Sequence, residues 1–123
     1  VQIAQRCGAE IFATAGSPEK REYLRSLGVK HVFDSRSLAF ADQIMQITGG
    51  QGVEVVLNSL AGEALTRSFN LLANHGRFLE LGKRDIQQSN ALSLAPFEKD
   101  LTFAAIDISL LIRERPTHDE AIT

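Results

Sequence analysis

The feature that most constrains the fold is a regular alternation of short strand-like runs with helical stretches. The run at residues 53–58, Val-Glu-Val-Val-Leu-Asn, is almost continuously apolar, which is typical of a parallel strand covered on both faces. Similar runs occupy residues 10–15, 31–34, 77–81 and 101–108. Strands separated by helices favour right-handed βαβ units. We therefore predict an α/β fold, a Rossmann-like doubly wound parallel sheet with helices on both faces.

The helices are marked by their stop and start residues. We expect helices over residues 1–7, 18–27 and 62–73, a helix that carries Phe40, Ile44 and Ile47 on one side, and a helical tail from residue 109 that breaks at residue 116. Pro18 suits a first helical turn, and Ser17 is the expected N-cap. Cys7 is expected to be buried in the first helix, and residues 74–76 to form a turn.

Composition excludes several classes of protein. The 123 residues are 44% apolar and 23% charged, which is too apolar for a disordered segment. One cysteine allows no internal disulfide, and three scattered histidines argue against a structural zinc site. A net charge of −2 gives no general attraction for nucleic acid or for anionic membranes. With no spanning run and no signal-peptide pattern, we expect a cytoplasmic protein.

A dinucleotide-binding fold carries a glycine-rich turn between its first strand and first helix, and this sequence has none. The glycines at 49–52 lie between a helix and a strand, where phosphates are not bound, so they form a simple connection. We therefore expect residues 1–123 to be a fragment, truncated at the N-terminus, whose first strand and phosphate-binding loop precede residue 1.

The end of the strand at residues 10–15, which we expect to be the second strand of the complete domain, indicates which cofactor binds. NAD-specific domains place an acidic residue there, but residues 14–17 read Thr-Ala-Gly-Ser. Lys20 and Arg21 follow within one helical turn, and Arg36 follows the next strand. A hydroxyl, helical N–H groups and cations suit a phosphate dianion, which predicts NADPH and not NADH. The alternative is that Ser17 only caps the helix and the cations are solvated.

Three segments carry a family resemblance: residues 13–21 (ATAGSPEKR), 55–62 (VVLNSLAG) and 76–83 (GRFLELGK). They resemble the enoyl reductase domain of modular polyketide synthases and animal-type fatty acid synthases, in the medium-chain dehydrogenase/reductase superfamily. The resemblance implies a metal-free, NADPH-dependent reduction of an α,β-unsaturated thioester on an acyl carrier protein, beside neighbouring synthase domains. Hydride is added to the β-carbon and a proton to the α-carbon.

The resemblance also implies roles for individual residues. Thr14 and Gly16 are cofactor-binding candidates because they lie at the carboxyl end of a strand, where ligands of open α/β sheets bind. The residues that the resemblance implies to bind or line the cofactor are Ser17, Lys20, Arg36, Asn58, Ser59, Leu60 and Gly82. Lys83 matches the lysine that polarises the thioester or delivers the proton, and Asp107 matches its aspartate partner. A developing enolate needs such a cation, and a carboxylate can orient it. The alternative is a surface lysine and a helix cap.

Other interpretations stay open at this point. One is a stand-alone quinone reductase of the same superfamily. Another is a non-catalytic nucleotide-fold module, with residues 101–108 as a candidate strand for edge-to-edge pairing in a homodimer. Arg84 and Asp85 are expected to be loop charges, and Phe97 and Phe103 core residues. The isolated fragment is expected to be inactive.

Overall fold

The computed structural model describes residues 1–114 and has parallel strands flanked by helices. The chain divides into two compact units, Val1–Gly52 and Val53–Thr123, which we call the N-terminal and C-terminal units. The predicted tail break at residue 116 lies outside the described residues.

The N-terminal unit alternates helices and strands as predicted. Its elements are α1 (Gln2–Arg6), β1 (Phe12–Ala15), α2 (Pro18–Ser26), β2 (His31–Asp34) and α3 (Ala39–Ile47). β1 and β2 pair in parallel, from Phe12 opposite His31 to Ala15 opposite Asp34. Of the three residues predicted on one side of α3, Phe40 and Ile44 are buried, whereas Ile47 is 45% exposed.

The C-terminal unit is a parallel three-stranded sheet in the order β3-β4-β5. Its elements are β3 (Val53–Asn58), α4 (Glu63–Phe69), β4 (Leu72–Glu80), α5 (Arg84–Gln87), a 3₁₀-helix (Ala95–Lys99), β5 (Thr102–Ala105) and α6 (Ile108–Glu114). Its core is formed by Leu65, Phe69, Leu72 and Phe78. Phe97 and Phe103 pack against this core and are partly buried, in agreement with the prediction.

The predicted helix over residues 62–73 is too long. α4 ends at Phe69, and Leu72 begins β4, where its side chain is 1% exposed. The backbone N–H of Val53 donates to the Leu71 carbonyl at 2.8 Å. Residues 71 and 72 therefore pair with β3 instead of continuing the helix. An apolar residue at helical spacing can be buried equally well from a strand, which is why the pattern was ambiguous.

Residues 74–76 lie inside β4 and not between two elements, so the predicted turn is wrong. The pairing with β3 passes from Val53–Leu72 to Val55–Arg77, and the additional residues of β4 bulge. His75 has a φ of 64° within this irregular stretch. A bulge reverses no chain direction, yet it uses the same residue types as a turn.

Two burial predictions also change. Cys7 is exposed, because it lies at the C-terminal cap of α1 and that helix buries none of its residues. The apolar run of β3 is not buried on both faces within the described part of the chain. Val56 packs against the core, whereas Val55 and Leu57 on the other face are 55% and 66% exposed.

Candidate cofactor and active site

The junction of β1 and α2 has the predicted cap. Ser17 has extended backbone angles, and its Oγ accepts a hydrogen bond from the Lys20 backbone N–H at 3.3 Å. Pro18 occupies the first helical turn, where a missing N–H removes no intrahelical bond. A hydroxyl and the open N–H groups of a helix start therefore lie together after β1, a combination that suits an anion.

Arg36 lies beside the same junction. A Cβ atom built on Gly16 would be 3.3 Å from Arg36 Nε and 3.4 Å from Ser35 Oγ. The absence of a side chain at residue 16 thus allows the guanidinium to approach the β1–α2 turn. Thr14 is half-buried in β1 opposite Phe33. The structure brings Gly16, Ser17 and Arg36 into one neighbourhood, with Lys20 exposed on the first turn of α2.

Arg21 has a different role from the other cations. Its Nη1 donates to the Ala15 carbonyl at 3.0 Å and forms an ion pair with Asp34 Oδ1 at 3.3 Å. The same carboxylate oxygen accepts from the Arg36 backbone N–H at 2.9 Å. Arg21, on α2, therefore contacts the ends of both β1 and β2. Lys20 and Arg36 form no ion pair within residues 1–114, which leaves them as the available cations.

At the ends of β3 and β4, the side chains of Asn58 and Glu80 are buried together. Asn58 Nδ2 donates to Glu80 Oε2 at 2.9 Å, and the Gly82 backbone N–H donates to Glu80 Oε1 at 2.7 Å. Glu80 is only 2% exposed. Sequence reasoning assigned it no role, although an acid in the apolar run Phe-Leu-Glu-Leu before a glycine was a usable signal.

The two loops that follow these strands are in close contact. Asn58 closes a turn, donating from Nδ2 to the Leu60 carbonyl at 2.7 Å and accepting from the Leu60 N–H at 3.3 Å. A Cβ on Gly82 would be 2.9 Å from Glu80 Oε1 and 3.4 Å from the Ser59 carbonyl oxygen. Glycine at 82 thus leaves room for the Glu80 carboxylate in its observed position. Residues 59–61, 82–85 and Glu80 line a small cavity here.

Lys83 and Asp107 form an ion pair, with Nζ 2.9 Å from Oδ1. Both side chains are partly exposed, at 41% and 38%, so the pair is accessible from solvent. Asp107 Oδ1 also accepts the Leu110 N–H at 2.9 Å, at the start of α6. The hydrogen bond from Lys83, followed by that from Leu110, lowers the pKa of Asp107. Asp107 is therefore a helix cap and an ion-pair partner at once.

Asp85 is more than the loop charge that the sequence indicated. Its two carboxylate oxygens accept from Asn90 Nδ2 at 2.7 Å and from the Gly62 N–H at 2.9 Å. These hydrogen bonds, that from Asn90 first, lower the pKa of Asp85. Asp85 thereby connects α5 to the far end of the loop that begins at Asn58.

These strand ends can be compared with known proteins. A family model described as zinc-binding dehydrogenase matches residues 1–118. The chain belongs to the zinc-binding dehydrogenase family. Within residues 1–114, no group of three or more His, Cys, Asp or Glu side chains is placed to hold a metal ion, so these residues do not fit a zinc site.

None of the helices described has the length and apolar character to cross a membrane.

Curated relatives show which members of this family the chain is similar to. The chain is 53% identical over 116 residues to the phthioceranic/hydroxyphthioceranic acid synthase of Mycobacterium tuberculosis, a match that covers 94% of the chain and 6% of that protein. It is 49% identical over 116 residues to a mycocerosic acid synthase-like polyketide synthase of Mycolicibacterium smegmatis, again covering 94% of the chain and 6% of that protein. The chain thus spans only 6% of the length of these relatives.

Solved structures agree with this membership. The nucleotide-binding subdomain of the enoyl reductase domain of PpsC from Mycobacterium tuberculosis is 48% identical, with a TM-score of 0.88 over 98% of this chain and 67% of that one. The CurK enoyl reductase is 46% identical, with a TM-score of 0.76 over 94% of this chain and 34% of that one. The chain is therefore homologous to the nucleotide-binding part of polyketide synthase enoyl reductases. The expected fold class and family resemblance are confirmed.

Proposed function

We propose that this chain is the NADPH-binding part of an enoyl reductase, residues 1–123, which acts on an α,β-unsaturated thioester carried by an acyl carrier protein. The Lys83–Asp107 ion pair carries the proposal, because it places an accessible cation at the carboxyl ends of parallel strands. Ligands of open α/β sheets bind at that edge. The relatives named above supply the reaction class.

The residues present fit a nicotinamide cofactor. Gly82 offers a strand end without a side chain, next to the Ser59 carbonyl and the Asn58–Leu60 turn. In the N-terminal unit, Gly16, Ser17, Lys20 and Arg36 offer a hydroxyl, helical N–H groups and cations for a 2′-phosphate. Residues 14–17, at the end of β1, include no acid to accept a ribose 2′-hydroxyl, which supports NADPH over NADH.

The chemistry follows from the ion pair. When bound, the reduced nicotinamide supplies the hydride that adds to the β-carbon of the enoyl group. Negative charge then develops on the thioester oxygen, and Lys83 Nζ can donate a hydrogen bond to it or a proton to the α-carbon. Asp107 accepts a hydrogen bond from the ammonium group and orients it.

The partners of the whole protein belong to the same proposal. They are the acyl carrier protein that presents the thioester and the neighbouring domains of a cytoplasmic polyketide or fatty acid synthase, with a homodimer as a candidate assembly. The lengths of the curated relatives support a large multidomain parent. We expect turnover from the whole enzyme and not from residues 1–123 alone.

The test uses the intact enzyme that contains this chain, supplied with NADPH and a crotonyl thioester. We expect loss of the reduced-nicotinamide absorbance, and a fall in kcat of about 100-fold in the Lys83→Ala variant because the developing charge loses its donor. Lys30→Ala, an exposed lysine in the loop before β2, is the matched control. Oxidation of NADPH by free quinones but not by the thioester would instead identify a quinone reductase.

A further inference from the structure

Glu80 is a buried acidic group that the proposed chemistry does not use. It is 2% exposed, and no Lys, Arg or His side chain within residues 1–114 forms an ion pair with it. Burying a carboxylate is costly unless its oxygens accept hydrogen bonds. Both oxygens do so, one from Asn58 and the other from the Gly82 N–H. These two donors stabilise the buried carboxylate, and the carboxylate in turn joins the two segments that supply them.

Glu80 joins the ends of all three strands of the C-terminal unit. Its carboxylate reaches Asn58 at the end of β3 and Gly82 just after β4. Its backbone carbonyl accepts the Ile106 N–H at 2.9 Å, one residue before Asp107. The three segments that it connects are those that carry the Asn58–Leu60 turn, Lys83 and Asp107.

We propose that Glu80 is a positioning residue for the Lys83–Asp107 pair, a proposal that rests on the proposed function above. Its two side-chain partners are both donors, an amide NH₂ and a backbone N–H, so the site requires two acceptor oxygens. A carboxylate meets this requirement, and a carboxamide of equal size does not. In the variant E80Q one NH₂ group must face another donor, which separates the two loops.

The experiment measures steady-state kinetics and thermal stability of the intact enzyme with NADPH and a crotonyl thioester. We expect E80Q to lower kcat by about 10- to 100-fold, because small displacements of reacting groups have effects of this size. The KM for NADPH should change much less than kcat, since Ser17, Lys20 and Arg36, which are proposed to bind its 2′-phosphate, lie in the N-terminal unit and keep their contacts. Glu54→Gln, an exposed position on β3, is the matched surface control.

A core variant separates positioning from stability alone. Phe69→Leu removes core volume in the same unit without touching the Glu80 hydrogen bonds. We expect it to lower Tm at least as much as E80Q while it retains kcat within about twofold. Retention of wild-type kcat by E80Q, or an equal loss of kcat in Phe69→Leu, would overturn the proposal.

If E80Q does not fold, Gly82→Ala provides the second test, because its Cβ would lie 2.9 Å from Glu80 Oε1 and displace the carboxylate. We expect a similar loss of kcat, with a rise in the KM for NADPH because residue 82 also adjoins the proposed cofactor site, and an unchanged kcat would contradict the positioning role. A wild-type enzyme that does not reduce the thioester would refute the proposed function, and not the Glu80 hypothesis specifically.

Discussion

The two candidate clusters are built in different ways. In the N-terminal unit, exposed Lys20 and Arg36 surround a glycine and a helix start, with Arg21 tying the backbone behind them. In the C-terminal unit, Lys83 follows a buried carboxylate that connects three strand ends. A site that binds a charged group tolerates small movements, because Coulomb energy changes gradually with distance. A site that transfers protons depends instead on close hydrogen-bond geometry.

The strands that carry the two clusters also differ in how deeply their side chains are buried. Phe78 and Phe69 are fully buried in the C-terminal unit, and Phe78 stacks on Phe103 with ring centroids 5.2 Å apart. The strands of the N-terminal unit are all partly exposed along their length. A dense core limits the movement of the groups attached to it, and the Phe69–Phe78 core lies in the unit that carries Lys83 and Asp107.

The largest expected effect tests this difference in packing. Phe78→Ala should lower the free energy of unfolding by about 3–5 kcal/mol, because it leaves a cavity between Phe69 and Phe103. Phe33→Ala, at a half-buried position in β2, should lose less than half as much. Urea denaturation followed by circular dichroism measures both. Equal losses would mean that β2 is packed as densely as β4.

The next test concerns charge recognition in the N-terminal unit. Lys20→Ala and Arg36→Ala should each weaken NADPH binding by about tenfold, the size expected for one charge-assisted hydrogen bond, and should leave NADH binding unchanged. Calorimetric titration measures this, and higher salt should reduce the difference. Arg25→Ala, on the same helix but paired with Glu22, is the control. Unchanged NADPH affinity would exclude the 2′-phosphate assignment.

Ser17 allows capping and ligand binding to be separated. Ser17→Ala should cost about 1 kcal/mol of stability through loss of the cap. Ser17→Asp should retain the stability, because aspartate caps well and suits the helix dipole, but should weaken NADPH binding by placing two anions together. Thermal unfolding and calorimetry report the two effects. If Ser17→Asp binds NADPH normally, Ser17 is a cap only.

The smallest expected effect concerns acid. The pKa of Asp107 is lowered in the folded protein, so its ion pair with Lys83 contributes to stability above the ordinary aspartate range, and the contribution is lost as pH falls below about 4 and through the folded pKa. The pair is partly exposed, so the change in stability should be slight. Carboxyl NMR titration should show the pKa of Asp107 rising toward its ordinary value in Lys83→Ala. An unmoved pKa would mean that the pair is absent in solution.

Much of the fold could be predicted, because local signals and tertiary structure agree. Strands His31–Asp34 and Val53–Asn58 match the predicted bounds, since apolar runs stand between clear breakers. Ser17 caps α2 as expected, because capping depends on only a few neighbouring residues. The end of α4 could not be predicted, because Leu72 satisfies a helical and a strand pattern equally and only its pairing with β3 decides.

The sequence by itself determined the α/β order, the family and the residue types at the strand ends, since these depend on periodicity and on contiguous motifs. The resemblance also implied that Asp107 partners Lys83, and the structure places the two side chains 2.9 Å apart. Only the tertiary structure showed that Arg21 pairs with Asp34 and that Glu80 connects the loops after β3 and β4. Each of these contacts joins residues that lie far apart along the chain. Such contacts form where β-strands align, and no local pattern specifies which donor then meets which acceptor.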